Sequence, residues 1–360
     1  MPKKWHGRLE DICSPDNGEI AYKDARSTTK DKQSKEVVWY NDPEHRKELC
    51  QRIMNGTYVP EPSRCFRLWE PKAKKWRNIE APTFETKLVE HMIILVFGAQ
   101  IRKFFHPNSC ASIEGKGIEH MRKTIKSWAN LPKRTRHLYV KGDFRHFFPS
   151  IVRTVAMREY ERHIGDVRVT ELIRLMMPHA IGLPLGNPLV QYSANLVLTA
   201  FDYECQKYTK HYARYMDDFV LLFSNKRKAR KFIEHIKGWA KANLSLAIKE
   251  TGPCAIQFWD WEKKAIDIAG YKTTHAGNQK IRHQSYIKLS KLLKEDGFSL
   301  HEARSVVSLN GWVGHSDCHK LKIRTDKTIC EHAIKRIIAK GAKNESTESG
   351  HGTSCACAAG

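Results

Sequence analysis

The chain has 360 residues, 41% hydrophobic and 28% charged, which is enough apolar material for two or three folded lobes and excludes wholesale disorder. Lysine and arginine number 62 against 39 aspartates and glutamates, and this surplus predicts a polyanionic partner, nucleic acid before a membrane surface. No apolar run approaches the ~20 residues of a membrane-spanning helix, and the N-terminal residues do not resemble a secretory signal. We therefore expect a soluble, cytoplasmic protein with no membrane association.

The first third of the chain changes from polar sequence to clear secondary-structure patterns. Residues 1–60 are polar and mixed, and a helix is predicted only over 43–55. Two aromatic-bearing strands flanking a Pro- and Lys-containing turn predict a hairpin over 64–80. Apolar positions at helical spacing predict a helix over 84–106.

The middle of the chain alternates between strand and helix patterns. In order, the sequence predicts a strand over 137–144, helices over 154–164, 169–177 and 188–204, a hairpin over 213–224, a basic helix over 226–243 and a strand pair over 265–274. This order predicts an α+β fold in which helices cover a mixed sheet. After residue 280 the chain becomes helical and basic, and we expect the small, polar tail 341–360 to be disordered.

Two acidic positions stand out in this basic chain. Asp143 ends an apolar strand, and the adjacent Asp217 and Asp218 lie in a tight turn between apolar strands. Neighbouring carboxylates repel each other, and a hard divalent cation such as Mg²⁺ removes that cost. Asp143 placed opposite Asp217 would complete a two-metal site. The alternative is an ordinary Asp-Asp hairpin turn, since aspartate is a common turn residue.

Taken together, the motifs resemble those of a reverse transcriptase over residues 60–320. KGDFRHFFPSI and YMDDFVLLF are similar to the two catalytic motifs, and GLPLGNPLVQYSAN to the turn and helix between them. LSLAIKE and DIAGYKT are similar to the downstream palm motifs, and KKWRNIEAPTFETKLVEHMI and SCASIEGKGIEHM to the preceding segments. The resemblance implies a right-hand polymerase architecture. Its parts would be an N-terminal extension (1–60), fingers (61–136), palm (137–275), a short helical basic thumb (276–340) and the tail.

One departure from the common pattern indicates a subgroup. Leu185-Gly186 stands where group II intron and retron enzymes have Gln-Gly, and Val190-Gln191 follows where they have Ser-Pro. This resembles the reverse transcriptases of diversity-generating retroelements, as does SLNGWVGHSDCHKL over 308–321. The resemblance implies error-prone copying of template RNA at adenines, which diversifies a target gene by mutagenic retrohoming. The expected setting is a bacterial cell or phage-infected bacterium.

The resemblance also implies partners and cofactors. These are template RNA, the RNA/DNA duplex, dNTPs and a small accessory variability protein. Asp143, Asp217 and Asp218, with the carbonyl of Phe144, would hold two Mg²⁺ ions, for which Mn²⁺ could substitute. Asp143 and Asp217 would be the essential pair. The aliphatic Leu185 offers no polar check on the incoming nucleotide, which fits low fidelity.

Other roles follow position by position from the same resemblance. Phe148 would be the steric gate against a ribose 2′-hydroxyl, or else a core aromatic residue. Arg77 would lie over the incoming nucleotide, or else be an exposed hairpin charge. Lys249 would protonate pyrophosphate, or else be a surface lysine. Gly186 would let the backbone approach the nascent base pair, and Gln191 is placed with it in the substrate site.

Two kinds of alternative stay open at this point. The nearer one is another bacterial reverse transcriptase, of the retron, group II-like or abortive-infection type. The other is a catalytically idle RNA-binding protein that keeps the palm fold, although the retained Asp143, Asp217 and Asp218 favour an active enzyme.

Overall fold

The computed structural model describes residues 5–70, 75–252, 254–295, 297–332, 334–335 and 337–339. The predicted hairpin turn at 71–74 and the tail 341–360 lie outside the described residues. The chain divides into two compact units. Unit 1 is drawn from residues 1–121 and 137–259, and unit 2 from residues 122–136 and 260–360.

The helices follow most of the predicted pattern. In the described ranges they are α1 (Leu9–Ile12), α2 (Pro15–Ser27), α3 (Lys35–Trp39), α4 (Pro43–Met54), α5 (Phe84–Arg102), α6 (Gly117–Trp128), α7 (Phe147–Ser150), α8 (Arg153–His163), α9 (Val167–Leu175), α10 (Pro188–Gln206), α11 (Lys226–Leu244), α12 (His283–Leu292), α13 (Leu300–Gly314) and α14 (His319–Glu331). None of these helices combines the length and apolar character needed to cross a bilayer.

The strands form three sheets in the described part of the chain. They are β1 (Arg64–Glu70), β2 (Lys75–Ala81), β3 (Leu138–Gly142), β4 (Tyr212–Tyr215), β5 (Asp218–Phe223), β6 (Gln257–Asp260), β7 (Ile266–Ile268), β8 (Tyr271–Thr273) and β9 (Gln279–Ile281). β1 pairs with β2, the order β4-β5-β3-β6 makes a four-stranded sheet, and β7-β8-β9 makes a three-stranded sheet. Helices α10 and α11 contact strands of the four-stranded sheet, as expected for an α+β layer.

The N-terminal extension contains helices that the sequence pattern does not reveal. Helix α2 begins at a Ser14 cap, whose hydroxyl accepts a hydrogen bond from the Asn17 backbone, and Pro15 occupies its first position. The helix packs on α5, and its small residues Ala21 and Ala25 are fully buried. Asn17 Nδ2 also donates to the Met92 carbonyl on α5, 3.1 Å away. The extension is therefore part of the unit 1 core.

A single bridge joins the segment at the end of α11 to the residues that follow β3. The segment LSLAIKE (244–250) forms no strand; a single antiparallel bridge joins Ile248 to Phe144. The Lys249 amide donates to the Asp143 carbonyl at 2.9 Å, and the Arg145 amide to the Ala247 carbonyl at 2.7 Å. The alternation is that of a strand, but the segment meets its partner where β3 has already ended.

A buried carboxyl ties α5 to the start of α10. Glu90 is fully buried; its Oε1 accepts from Asn187 Nδ2 at 2.8 Å, and its Oε2 from the Leu189 amide at 3.4 Å. Burial raises the pKa of Glu90 to about 8, because removal from water disfavours the charged form more than these hydrogen bonds favour it. Glu90 is therefore largely protonated at neutral pH.

This pKa makes stability depend on pH. The folded state binds the Glu90 proton more tightly than the unfolded chain does, so stability falls as pH rises from ordinary carboxyl values through about 8. We expect wild type to lose about 1–3 kcal/mol of unfolding free energy between about pH 6 and pH 9, and Glu90→Gln to lose clearly less. Urea denaturation at each pH measures this, and equal losses in both proteins would contradict it.

Candidate active site

The turn between β4 and β5 presents two adjacent aspartates. Tyr215 pairs with Asp218, so the hairpin closes through two residues, Met216 and Asp217. Met216 has φ +55°, a left-handed conformation that two-residue hairpins use to match the twist of their strands. The turn is thus fixed by strand pairing, and Asp217 lies at its tip.

Pairing of β3 with β5 brings Asp143 to the same edge of the sheet. Gly142 lies opposite Phe219 in the antiparallel register, so Asp143, the next residue, reaches the Asp217-Asp218 end of β5. A Cβ at Gly142 would lie 2.4 Å from the Phe219 ring, which is fully buried. Glycine is therefore required there by packing, and residues 74 positions apart in sequence become neighbours.

The neighbouring carboxylates perturb Asp217. Burial, the charge of Asp143 and the charge of Asp218 together raise the pKa of Asp217 to about 7. Lys141 on β3 offsets part of this charge, because its ammonium lies 3.4 Å from Asp218 Oδ1. The edge of the sheet is consequently a place where negative charge is crowded and a cation is favoured.

Asp143 itself is held by Lys249 on one side only. Lys249 Nζ donates to Asp143 Oδ2, whereas Asp143 Oδ1 is buried and receives no hydrogen bond from the described groups. Burial would lower the pKa of Lys249, but the hydrogen bond and charge of Asp143 outweigh it and raise that pKa. Leaving a buried acceptor unpaired costs about 1–3 kcal/mol, so Oδ1 is poised for a ligand.

The donor set fits a hard divalent cation. Mg²⁺ takes one or two carboxylates and completes its shell with water or substrate phosphates, and Asp143 and Asp217 supply hard oxygens side by side. Among the described residues, no group of three or more His, Cys, Asp or Glu side chains is arranged to hold a metal ion. Because Lys249 Nζ occupies Asp143 Oδ2, a cation that used this oxygen would have to displace it.

The aromatic residues after Asp143 run from the core to the surface. The Phe144 ring is buried against Phe201 and Phe219, with ring centroids 5.0 and 5.9 Å away. Phe147 is also buried, and its ring lies 5.1 Å from that of Phe148. Phe148 is half-buried, so its ring retains an exposed part. This arrangement separates the core aromatic residues from the one predicted to contact substrate.

The Leu185-Gly186 turn lies against the β1–β2 hairpin. The Glu80 amide on β2 donates to the Leu185 carbonyl at 3.1 Å. Gly186 has φ +133°, and a Cβ there would lie 2.7 Å from the Glu80 carbonyl oxygen. On the same strand, Arg77 donates to Glu70 at 2.6 Å. The turn is therefore held through the Leu185 backbone. The Leu185 side chain is half-buried and takes no part in that hydrogen bond.

Gln191 lies near the start of α10. It is distant in sequence from the carboxylates and lies on a different element. Ser112 Oγ donates to Gln191 Oε1 at 3.2 Å, and Ser112 has φ +54°. One turn further along the helix, Asn195 Nδ2 donates to the Ala111 carbonyl at 2.9 Å. Gln191 therefore helps to hold the loop before α6 against α10.

A fully buried arginine supports the hairpin turn, and the sequence argument missed it. Arg214 Nε and Nη2 donate to the two oxygens of Asp202, at 2.6 and 2.7 Å. Nη1 donates to Asn195 Oδ1 and to the Met216 carbonyl, and Nη2 also to Ser109 Oγ. All five guanidinium donors are thus used, one of them on the turn that carries Asp217. The detectable signal was a charge inside an apolar strand, YARY.

The Arg214–Asp202 pair predicts a specific pattern of stability. Arg214→Met should cost about 3–5 kcal/mol of unfolding free energy, because Asp202 is left buried and unpaired. The double variant Arg214→Met/Asp202→Leu should recover most of that loss, since no buried charge remains. Urea denaturation measures both. A loss below about 1 kcal/mol in the single variant would show that the pair is not structurally important.

Comparison with known protein families and structures gives the context of this site. Residues 62–251, more than half of the chain, match the family model described as reverse transcriptase (RNA-dependent DNA polymerase). Over 167 residues the chain is 23% identical to the group II intron-encoded protein LtrA of Lactococcus lactis subsp. cremoris. This match covers 43% of the chain and 27% of LtrA, so the chain spans about a quarter of that relative.

Two solved structures share the fold at low sequence identity. The telomerase of Candida albicans, in complex with a fragment of telomeric RNA, has a TM-score of 0.50 and 12% identity, over 76% of this chain and 57% of that one. The apo telomerase of Candida tropicalis has a TM-score of 0.52 and 11% identity, over 78% and 59%. These similarities confirm the predicted α+β polymerase fold class.

Proposed function

Because this chain belongs to the reverse transcriptase (RNA-dependent DNA polymerase) family, we propose that it copies an RNA template into DNA at Asp143 and Asp217. The observation that carries the proposal is the grouping of carboxylates where the central strands β3 and β5 of the four-stranded sheet meet. There, a buried Asp143 oxygen without a hydrogen-bond partner among the described groups lies beside an Asp217 whose pKa is raised to about 7. Crowded, partly desolvated carboxylates of this kind are what a cation-dependent nucleotidyl transfer needs.

Asp143, Asp217 and Asp218, with the Phe144 carbonyl, would hold the cations. Bound there, two Mg²⁺ ions, or Mn²⁺ in their place, supply the positive charge that activates a primer 3′-hydroxyl and stabilises a triphosphate. The protein holds these carboxylates rigidly through the β3–β5 pairing. Rigid placement matters because nucleotidyl transfer depends on positioning more than on covalent chemistry by the protein.

Lys249 has two successive roles in this proposal. Its ammonium neutralises Asp143 before substrate binds. Cations held by that carboxylate would free Lys249 with its proton still on Nζ, because a lysine ammonium stays charged at neutral pH. The proton can then pass to the pyrophosphate oxygen as the phosphorus–oxygen bond breaks, which is general-acid catalysis.

The other predicted residues select and orient the nucleotide. The half-exposed Phe148 ring would exclude a ribose 2′-hydroxyl. Gly186 would allow the backbone to approach the nascent base pair, with Leu185 and Gln191 nearby on the same turn and helix. Arg77 would exchange its Glu70 partner for the triphosphate, which its planar fork can bind through two hydrogen bonds.

For the subtype, we propose error-prone copying at template adenines in a diversity-generating retroelement, with template RNA, dNTPs and a small accessory protein as partners. Leu185-Gly186, Val190-Gln191 and the segment 308–321 support this. The similarity to LtrA favours a second candidate, a group II-like reverse transcriptase. A variable gene copy beside a template copy that differs at adenines would favour the first, and intron sequence flanking the gene would favour the second.

Removal of either carboxylate should abolish primer extension. Asp143→Asn and Asp217→Asn should each lower the rate of dNTP incorporation on an RNA template at least about a thousandfold, because transition-state charge is no longer stabilised. Steady-state extension with Mg²⁺ measures the rate, and thermal melting checks folding.

The matched control is Asp16→Asn, an exposed carboxylate in the first turn of α2, which should extend at the wild-type rate. Wild-type extension by Asp143→Asn would contradict the proposal. If wild type bound template–primer but extended it with neither Mg²⁺ nor Mn²⁺, even with accessory protein, an idle RNA-binding role would be favoured instead.

Substitution of Leu185 should change fidelity. Leu185→Gln restores a polar side chain while the Leu185 backbone keeps its hydrogen bond from Glu80, so misincorporation at template adenine should fall about three- to tenfold. Sequencing of cDNA from one RNA template measures the error spectrum. Leu185→Met is the apolar control and should retain wild-type errors. An unchanged spectrum in Leu185→Gln would remove the subtype argument.

A further inference from the structure

Unit 2 contains a cavity of about 440 Å³, formed without the carboxylates described above. One wall is the end of α6 with the residues that follow it, and the other is the loop between β8 and β9. Its lining includes Arg122, Lys123, Lys126, Asn130, Asn278 and Asp317. Three of these side chains are cations and one is a carboxylate.

The one carboxylate in the cavity lining, that of Asp317, already has partners within the protein. Asp317 Oδ2 accepts from the Gln279 backbone amide at 2.6 Å, and Lys126 lies 3.6 Å from Asp317 Oδ1. Gln279 is fully buried and joins the two walls, since its Nε2 donates to the Arg122 carbonyl and its Oε1 accepts from Arg122 Nη1. A partly buried hydrogen-bond network thus joins the two walls of the cavity.

The loop wall is also rigid. The Thr274 amide donates to the Asn278 carbonyl at 2.9 Å, and the Gly277 amide to the Thr274 carbonyl at 2.9 Å. Gly277 has φ +85°, and a Cβ there would lie 3.0 Å from the Ala129 Cβ. Glycine therefore lets the loop approach α6 closely enough to close one side of the cavity.

Positive charge is concentrated in the segment that forms the α6 wall of the cavity. Residues 122–136 contain six lysines and arginines and no aspartate or glutamate. Lys123 and Lys126 are exposed, with flexible ammonium groups that suit phosphate oxygens, and the two asparagines add neutral amide donors. A cavity lined by cationic and amide side chains favours phosphodiester groups over apolar ligands.

We infer that this cavity binds backbone phosphates of RNA, at a site in addition to the one where the template is copied. The inference rests on the proposed function in naming RNA, since an enzyme that copies RNA must retain it through repeated cycles of nucleotide addition. Lys123 and Lys126 contact the phosphates, while Arg122 and Gln279 hold the walls. Binding of this kind is independent of sequence and weakens with salt.

The test uses the full chain and a single-stranded RNA oligonucleotide with no DNA primer. Lys123→Gln/Lys126→Gln should bind this RNA about tenfold more weakly, and the slope of log K against log[salt] should become shallower by roughly 1 to 2. Extension of a saturating, pre-annealed primer–template should stay at the wild-type rate. The control, Lys263→Gln/Lys327→Gln, removes two exposed lysines of unit 2 that lie outside the cavity.

Three results would overturn the inference. They are wild-type RNA affinity in the cavity variant, an equal loss in the control variant, or selective loss of binding to polyglutamate with RNA binding intact. Failure of the proposed function looks different. In that case wild type would not extend primers, while the cavity variant would still lose RNA affinity relative to the control.

Discussion

The site depends on the antiparallel pairing of β3 with β5. This register places Asp143, the residue after Gly142, beside the hairpin turn that carries Asp217 and Asp218. A shift by one residue would turn the side chains of β3 to the opposite face of the sheet and separate the carboxylates. Gly142 helps to fix the register, because the buried Phe219 ring occupies the space that a side chain at 142 would need.

Around this pairing, the protein neutralises the negative charge of its aspartates in two different ways. Arg214 and Asp202 are buried together, and their ion pair with five guanidinium hydrogen bonds stabilises the framework behind the turn. Lys141 and Lys249 neutralise Asp218 and Asp143 at the more open side, where an ammonium can be displaced. The first arrangement is structural and permanent, whereas the second leaves Asp143 Oδ1 available to a cation.

The sequence predicted the elements whose patterns are strong and local. The periodicity over 84–106 became α5, and the aromatic hairpin became β1 and β2. Helices α1 to α3 were not predicted, because their sequence is polar and their stability comes from packing on α5. Arg214 was missed for a related reason, since its partners Asp202 and Ser109 come from distant parts of the chain and no single-sequence pattern links them.

The central claim is that Asp143 and Asp217 share divalent cations, and direct measurement of Mn²⁺ binding tests it without relying on activity. Electron paramagnetic resonance of Mn²⁺ should show bound ion for wild type with template–primer and dNTP, on a primer that lacks a 3′-hydroxyl. The variant Asp143→Asn/Asp217→Asn, with its fold verified by circular dichroism, should lose that bound signal. Undiminished Mn²⁺ binding by this variant would contradict the account.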